Sequence, residues 1–96
     1  MGMNMQEAID APAWHMNHFT GSFWPRLVER QRLTVEGRLP QETIDALRRR
    51  GHDVVVGDLW SEGRLCATAR ERQAPGRFLF KAAANPRGMQ GYAIAR

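Results

Sequence analysis

The side chains able to do chemistry are few and scattered along this 96-residue chain. His15 and His18 stand three apart, the spacing two metal ligands take on one face of a helix. Pro12 and the aromatic residues around them argue against a helix there, and no carboxylate and histidine set accompanies them. They are expected to satisfy buried backbone groups or to face water. Cys66 is the only cysteine, so no intrachain disulfide is possible. It falls inside an expected strand with Arg64 and Arg70 nearby, lacks a histidine partner, and reads as a small buried hydrophobe rather than a nucleophile. The hydroxyls of Thr20, Ser22, Thr34, Thr43, Ser61 and Thr68 lie in no signature such as G-x-S-x-G. Gly88-Met89-Gln90-Gly91 matches neither the dinucleotide fingerprint nor a P-loop, which both need a following helix, and is expected to form a sharp turn after Pro86. The expectation is therefore no catalytic residue, no cofactor and no metal in the chain itself.

The elements that must position these residues follow from periodicity. Asn4 caps a first helix, Glu7 three residues later completes a capping box, Met5, Ala8 and Ile9 form its apolar face, and Pro12 ends it. From Ala11 to Arg30 no period holds. Trp14, Phe19, Phe23 and Trp24 alternate with His15, His18, Gly21 and Pro25, as in an irregular segment lying across something apolar. Residues 32–36 alternate as a half-buried strand closed by Gly37. A second helix is expected from Pro40, with Leu39, Thr43, Ile44 and Leu47 as its stripe, Arg48 to Arg50 in the last turn and Gly51 as cap. The β-branched run Asp53 to Val56 reads as a strand, and Ser61-Glu62-Gly63 as a turn into another that carries Leu65, Ala67 and Ala69. Glu71 to Gly76 reads as a hairpin loop leading to Phe78 through Ala83, a strand that pairs with the one before it. Ala67 and Ala69 with Ala82-Ala83-Ala84 form a small-residue face suited to close packing of a helix or sheet. The class is α+β, antiparallel strands with two helices, in one domain over residues 1–96.

Apolar residues make up 43% and charged residues 25%, values of a folded water-soluble domain. The net charge of +4 comes from fourteen basic residues of which only Lys81 is a lysine. Arg48-Arg49-Arg50, the one dense run, sits where it complements a helix dipole, so the basic balance permits nucleic-acid binding without arguing for it. No stretch approaches the roughly eighteen apolar residues of a membrane span, and nothing resembles a signal peptide.

In order along nearly the whole chain, residues 2–12 (Gly2-Met3-Asn4-Met5-Gln6-Glu7-Ala8-Ile9-Asp10-Ala11-Pro12), Trp14-His15, Leu39-Pro40 with Leu47, Gly51-His52, and Ala83-Ala84-Asn85-Pro86-Arg87 resemble the C-terminal end of γ-glutamyltranspeptidases. Trp60-Ser61-Glu62-Gly63 and Gly88-Met89-Gln90-Gly91-Tyr92 look more like the acylase branch than the glutathione-processing one. The resemblance implies part of an αββα N-terminal-nucleophile hydrolase, made as a precursor that cuts itself and exposes a threonine at the start of its small subunit. That threonine would attack a γ-glutamyl amide, give its proton to its own α-amine, and pass the acyl group to water or an amino acid. It lies upstream of this segment, as do the glycine-rich oxyanion site and the serine pair that hold substrate.

The same resemblance implies that residues 1–96 are the C-terminal portion of the small subunit, with a structural role. Its partners are then the large subunit and the N-terminal part of the small one, with a small γ-glutamyl substrate for the whole enzyme and neither nucleic acid nor membrane. A bacterial cytoplasm and a periplasm both stay open, and a bare hairpin edge favours self-association of the segment. Met1-Gly2 opening straight into the first helix reads as a start in mid-domain. The family's Ser-Asp-Pro-Arg stands here as Ala84-Asn85-Pro86-Arg87, so no role resting on that aspartate carries over. Asn85, Pro86 and Arg87 are the structural candidates: Arg87 through a carboxylate or carbonyl fork, Asn85 through a turn hydrogen bond, Pro86 by fixing a dihedral. The competing class is a free-standing basic module whose exposed aromatics hold nucleic acid or a protein. A small self-sufficient enzyme is disfavoured, because no nucleophile and base pair can be assembled.

Overall fold

A computed structural model describes residues 2–89 and 91–94, so Met1 of the expected start and Gln90 of the expected turn lie outside the described residues. The chain forms two compact units, one of residues 1–11 with 64–96 and one of residues 12–63.

The inserted unit, residues 12–63, holds a three-stranded sheet and a helix. Strand β1 (Trp14–Met16) pairs antiparallel with β2 (Arg32–Val35), and β2 pairs parallel with β3 (Asp53–Val56), giving the order β1-β2-β3. Helix α2 (Gln41–Arg49) makes the crossover that a parallel pair requires. It begins one residue later than expected, with Pro40 at the cap position, and ends in a Schellman arrangement. Gly51 takes φ +93, its N–H donates to the Arg48 carbonyl at 2.9 Å, and the His52 N–H donates to the Leu47 carbonyl at 3.2 Å. Leu33, Val35, Ile44 and Val54 form the buried core, flanked by Leu39 and Leu47. Arg32 bonds Asp53 on the neighbouring strand and pairs with Glu29, and these two carboxylates, Asp53 foremost, hold its guanidinium above its ordinary pKa.

The other unit joins the two ends of the chain. Helix α1 (Met5–Asp10) starts with the expected capping box: Glu7 N–H donates to Asn4 Oδ1 at 2.9 Å, and Asn4 N–H donates to Glu7 Oε2 at 2.8 Å. It packs against β4 (Cys66–Ala74) and β5 (Arg77–Ala84), an antiparallel ribbon in which Ala67 faces Ala83 and Cys66 faces Ala84. Ile9 and Ala83 are buried there, so the small-residue face is what lets a helix approach.

Three expectations change. The segment from Ala11 to Arg30, expected to be irregular and to lie across something apolar, contains strand β1, formed by pairing with β2, and its Phe19, Phe23 and Trp24 stand in solvent. Strand β4 runs through Glu71 to Ala74, leaving only Pro75 and Gly76 as the turn, with a register shift between Arg72 and Ala74. Charged residues fit this strand because the far half of the ribbon is exposed on both faces and imposes no desolvation cost. There Arg70 lies over the Phe78 ring at 3.9 Å, and Glu71 pairs diagonally with Lys81. The hydrogen bond from Lys81, then its charge, holds the Glu71 carboxyl below the ordinary range. Cys66 is exposed, not buried. A strand residue is buried only where a second layer covers its face, and a two-stranded ribbon does not supply one at this position.

Candidate functional site

Each unit carries one polar cluster built around a buried charged side chain. In the terminal unit that side chain is Arg87, 2% exposed, in the short 3-10 turn Arg87–Met89 after β5. Pro12 cannot continue α1, and α1 has no basic residue in its last turn, so the carbonyls at its end need an outside donor. Arg87 supplies it as a fork: Nη1 donates to the Ile9 carbonyl and Nη2 to the Ala11 carbonyl, each at 2.7 Å. A cation at a helix C-terminus is also favoured by the helix dipole.

Asn85, 3% exposed, orders the same corner. Its N–H donates to the Leu65 carbonyl at 3.1 Å, and its amide oxygen, turned toward the donors, accepts from Leu65 N–H and Arg87 Nη1 at 2.9 Å each. Pro86 is exposed, and its carbonyl accepts from Met89 N–H at 2.9 Å, closing the turn. Gly88 is at φ +69 with the Arg64 guanidinium against it: a Cβ there would stand 2.8 Å from Arg64 Nε.

In the inserted unit the buried group is Glu36, fully enclosed at the end of β2. Its carboxylate accepts from Ala13 N–H at 3.0 Å, Glu62 N–H at 3.2 Å and Arg38 Nη2 at 2.9 Å. Arg38 Nε in turn donates to the Leu59 carbonyl at 2.7 Å, and its guanidinium stacks on the Trp60 ring at 3.4 Å. Glu62, also buried, pairs with His15 Nδ1 and lies 2.8 Å from Ser61 Oγ. Gly57 leaves room where the loop doubles back: a Cβ would stand 2.6 Å from Ser61 Oγ and would push that hydroxyl aside. The Trp60-Ser61-Glu62-Gly63 motif is thus a loop pinned by one strand end and one strand.

Of the residues singled out earlier, His15 serves as a partner for a buried carboxylate, and His18 stacks edge-on against Phe19 with ring centres 6.2 Å apart. Among the described residues no group of three His, Cys, Asp or Glu could hold a metal ion. No described helix is long and apolar enough to cross a membrane. Glu36 and Glu62 had no signal in the periodicity. Glu36 continues the alternation as its polar member after Val35, and a carboxylate at a strand end ordinarily reads as solvated. Both clusters hold chain segments in place through hydrogen bonds made within their own unit.

The family model for gamma-glutamyltranspeptidase matches residues 1–95. The chain belongs to that family. Solved chains share its fold, two of them as follows. One, described as "Structure of LmbA2991T421A", is 54% identical with a TM-score of 0.87, and the match covers 99% of this chain and 16% of that one. The other, "Structure of LmbA2991HD", is 55% identical with the same TM-score and the same coverage. The chain thus spans about one sixth of the length of the solved chains it matches. No curated protein matches it.

Proposed function

We propose that this chain is the C-terminal, non-catalytic part of a γ-glutamyl transferase or hydrolase and completes the fold around a nucleophile supplied by upstream sequence. The observation that carries the reading is the pairing of a family match over residues 1–95 with coverage of only 16% of each solved chain. The internally satisfied clusters around Arg87 and Glu36 support it, since both use their charges to fix backbone rather than to present a reactive group.

In this reading the upstream threonine attacks the γ-glutamyl carbonyl, its α-amine takes the hydroxyl proton, and the leaving amine departs with a proton. Water or an amino acid then resolves the acyl enzyme. Residues 1–96 belong to the small subunit and to one layer of the αββα sandwich. Asn85, Pro86 and Arg87 order the corner where the chain end meets α1, and no catalytic residue is assigned here.

The test is γ-glutamyl anilide hydrolysis by the purified 96-residue chain, beside a full-length enzyme containing it. The expected result is no turnover by the chain alone and turnover by the whole enzyme after self-cleavage. Turnover by the chain alone overturns the reading.

A further inference from the structure

The segment between β1 and β2 is not loose. Asn17 and Glu29 close its base: Glu29 N–H donates to the Asn17 carbonyl at 3.0 Å, and Asn17 Nδ2 donates to Glu29 Oε2 at 3.0 Å. Higher up, Gly21 N–H donates to the Leu27 carbonyl at 3.1 Å, and at the tip Arg26 N–H donates to the Phe23 carbonyl at 2.7 Å across Trp24 and a cis Pro25. Arg26 takes a left-handed conformation at φ 56, sparsely populated outside glycine and tolerated when the surroundings fix it.

This ordered loop lifts its largest apolar side chains into solvent. Phe19 is 80% exposed, Phe23 87% and Trp24 90%. At roughly 150–250 Å² per aromatic side chain, these three present about 400–600 Å². That matches the largest apolar patch of an ordinary monomer, about 300–600 Å², in a single loop. The composition is that of an interface centre, Trp and Phe beside Arg26 and Arg30, neither of which has an ion-pair partner among the described residues. The one acidic group of the loop, Glu29, is already bound by Asn17 and Arg32.

We infer that residues 17–29 are a preformed aromatic clasp that docks into an apolar, carboxylate-rimmed concavity on the body of the larger family chain. The inference rests on the reading given under Proposed function, and the occupant follows from it: the matched solved chains carry this fold as 16% of their length, so in that reading the rest of the chain supplies the surface for such a loop. A preformed loop gives up little conformational freedom on docking, which is what its four hydrogen bonds secure.

The test places this 96-residue sequence into the full-length solved relative in exchange for the matched part, then introduces Phe23→Ser with Trp24→Ser. The double variant is expected to lower the thermal midpoint of that full chain by about 5 °C or more, while Trp24→Phe restores most of the loss. In the isolated 96-residue chain the double variant is expected to leave the midpoint unchanged, because the tip contributes nothing to that chain's own core. An unchanged full chain overturns the clasp, and so does an equal loss in the isolated chain, which would make the loop part of the local fold. A full chain unaffected by the variant, together with a 96-residue chain that sediments as a dimer only with the tip intact, assigns the loop to a second copy instead. An exchanged chain that fails to fold before any loop substitution sinks the underlying reading, and the clasp with it.

Discussion

Replacing Arg87 with alanine removes both prongs of the fork and strands the Ile9 and Ala11 carbonyls at the end of α1. A hydrogen bond to a charged donor contributes about 1.5–3 kcal/mol. The two bonds share one side chain and are not independent, so Arg87→Ala should cost about 3 kcal/mol rather than the doubled figure. A chain of this size has only about 5–15 kcal/mol of stability in all. Because two compact units need not unfold together, site-resolved hydrogen exchange is the assay that localises the loss. The amides of Ala8 and Asn85, which donate to Asn4 and Leu65, should exchange about a hundredfold faster. Those of Glu36 and Gly57 in the inserted unit should hold their rates. Arg87→Lys, whose single ammonium cannot fork, should recover about half of the protection. If Ala8 and Asn85 change by less than about threefold in the alanine variant, the fork does not hold this corner and the reasoning fails.

Three further outcomes are expected. Ile44→Ala opens a cavity in the four-residue core of the inserted unit and should cost about 2–5 kcal/mol in urea titration; a loss under about 1 kcal/mol would mean that core is not closed. Glu36→Gln keeps the side-chain shape but removes the charge facing Arg38, and should cost about 1.5–3 kcal/mol and speed exchange at the Glu62 amide; an unchanged Glu62 amide would contradict the pinned loop. Lys81→Met should raise the Glu71 midpoint toward the ordinary value of about 4.3 in a carboxyl NMR titration, and an unmoved midpoint would refute the pairing. Since Lys81 depresses the folded carboxyl, its contribution to the ribbon is present above the unfolded value and is lost as pH falls through the depressed one.

What could be read from the residues was what is local. The capping box at Asn4 and Glu7, the α2 stripe ended by Gly51, and the pairing of the alanine-rich strands depend on neighbours a few positions apart or on a short turn. Strand β1 could not be read, because Trp14-His15-Met16 is exposed along its length and becomes a strand only through pairing with Leu33 to Val35. The parallel pairing of β2 with β3 likewise depends on where α2 returns the chain, and nothing in Asp53 to Val56 specifies its direction. Cys66 was misplaced because alternation marks a face without saying whether anything covers it. The acceptors of Arg87 could not be read, because they lie 78 and 76 residues away at the other end of the chain. The carboxylates Glu36 and Glu62 escaped notice because their partners are backbone amides that the tertiary fold brings to them.

That separation of 78 residues has a kinetic side. Everything the inserted unit needs lies between residues 12 and 63, so its sheet and helix can assemble as soon as that stretch has left the ribosome. The terminal unit must wait for the last residues, because α1 gains its helix-end donors only when Arg87 arrives. Closing so long a loop costs more than closing a hairpin, although the cost grows only with the logarithm of its length. With the intervening stretch already folded, the effective span shortens and the two ends are brought within reach. Nascent chains stalled before residue 87 should therefore hold a finished middle and an open frame, with α1 protected only once the final turn is made.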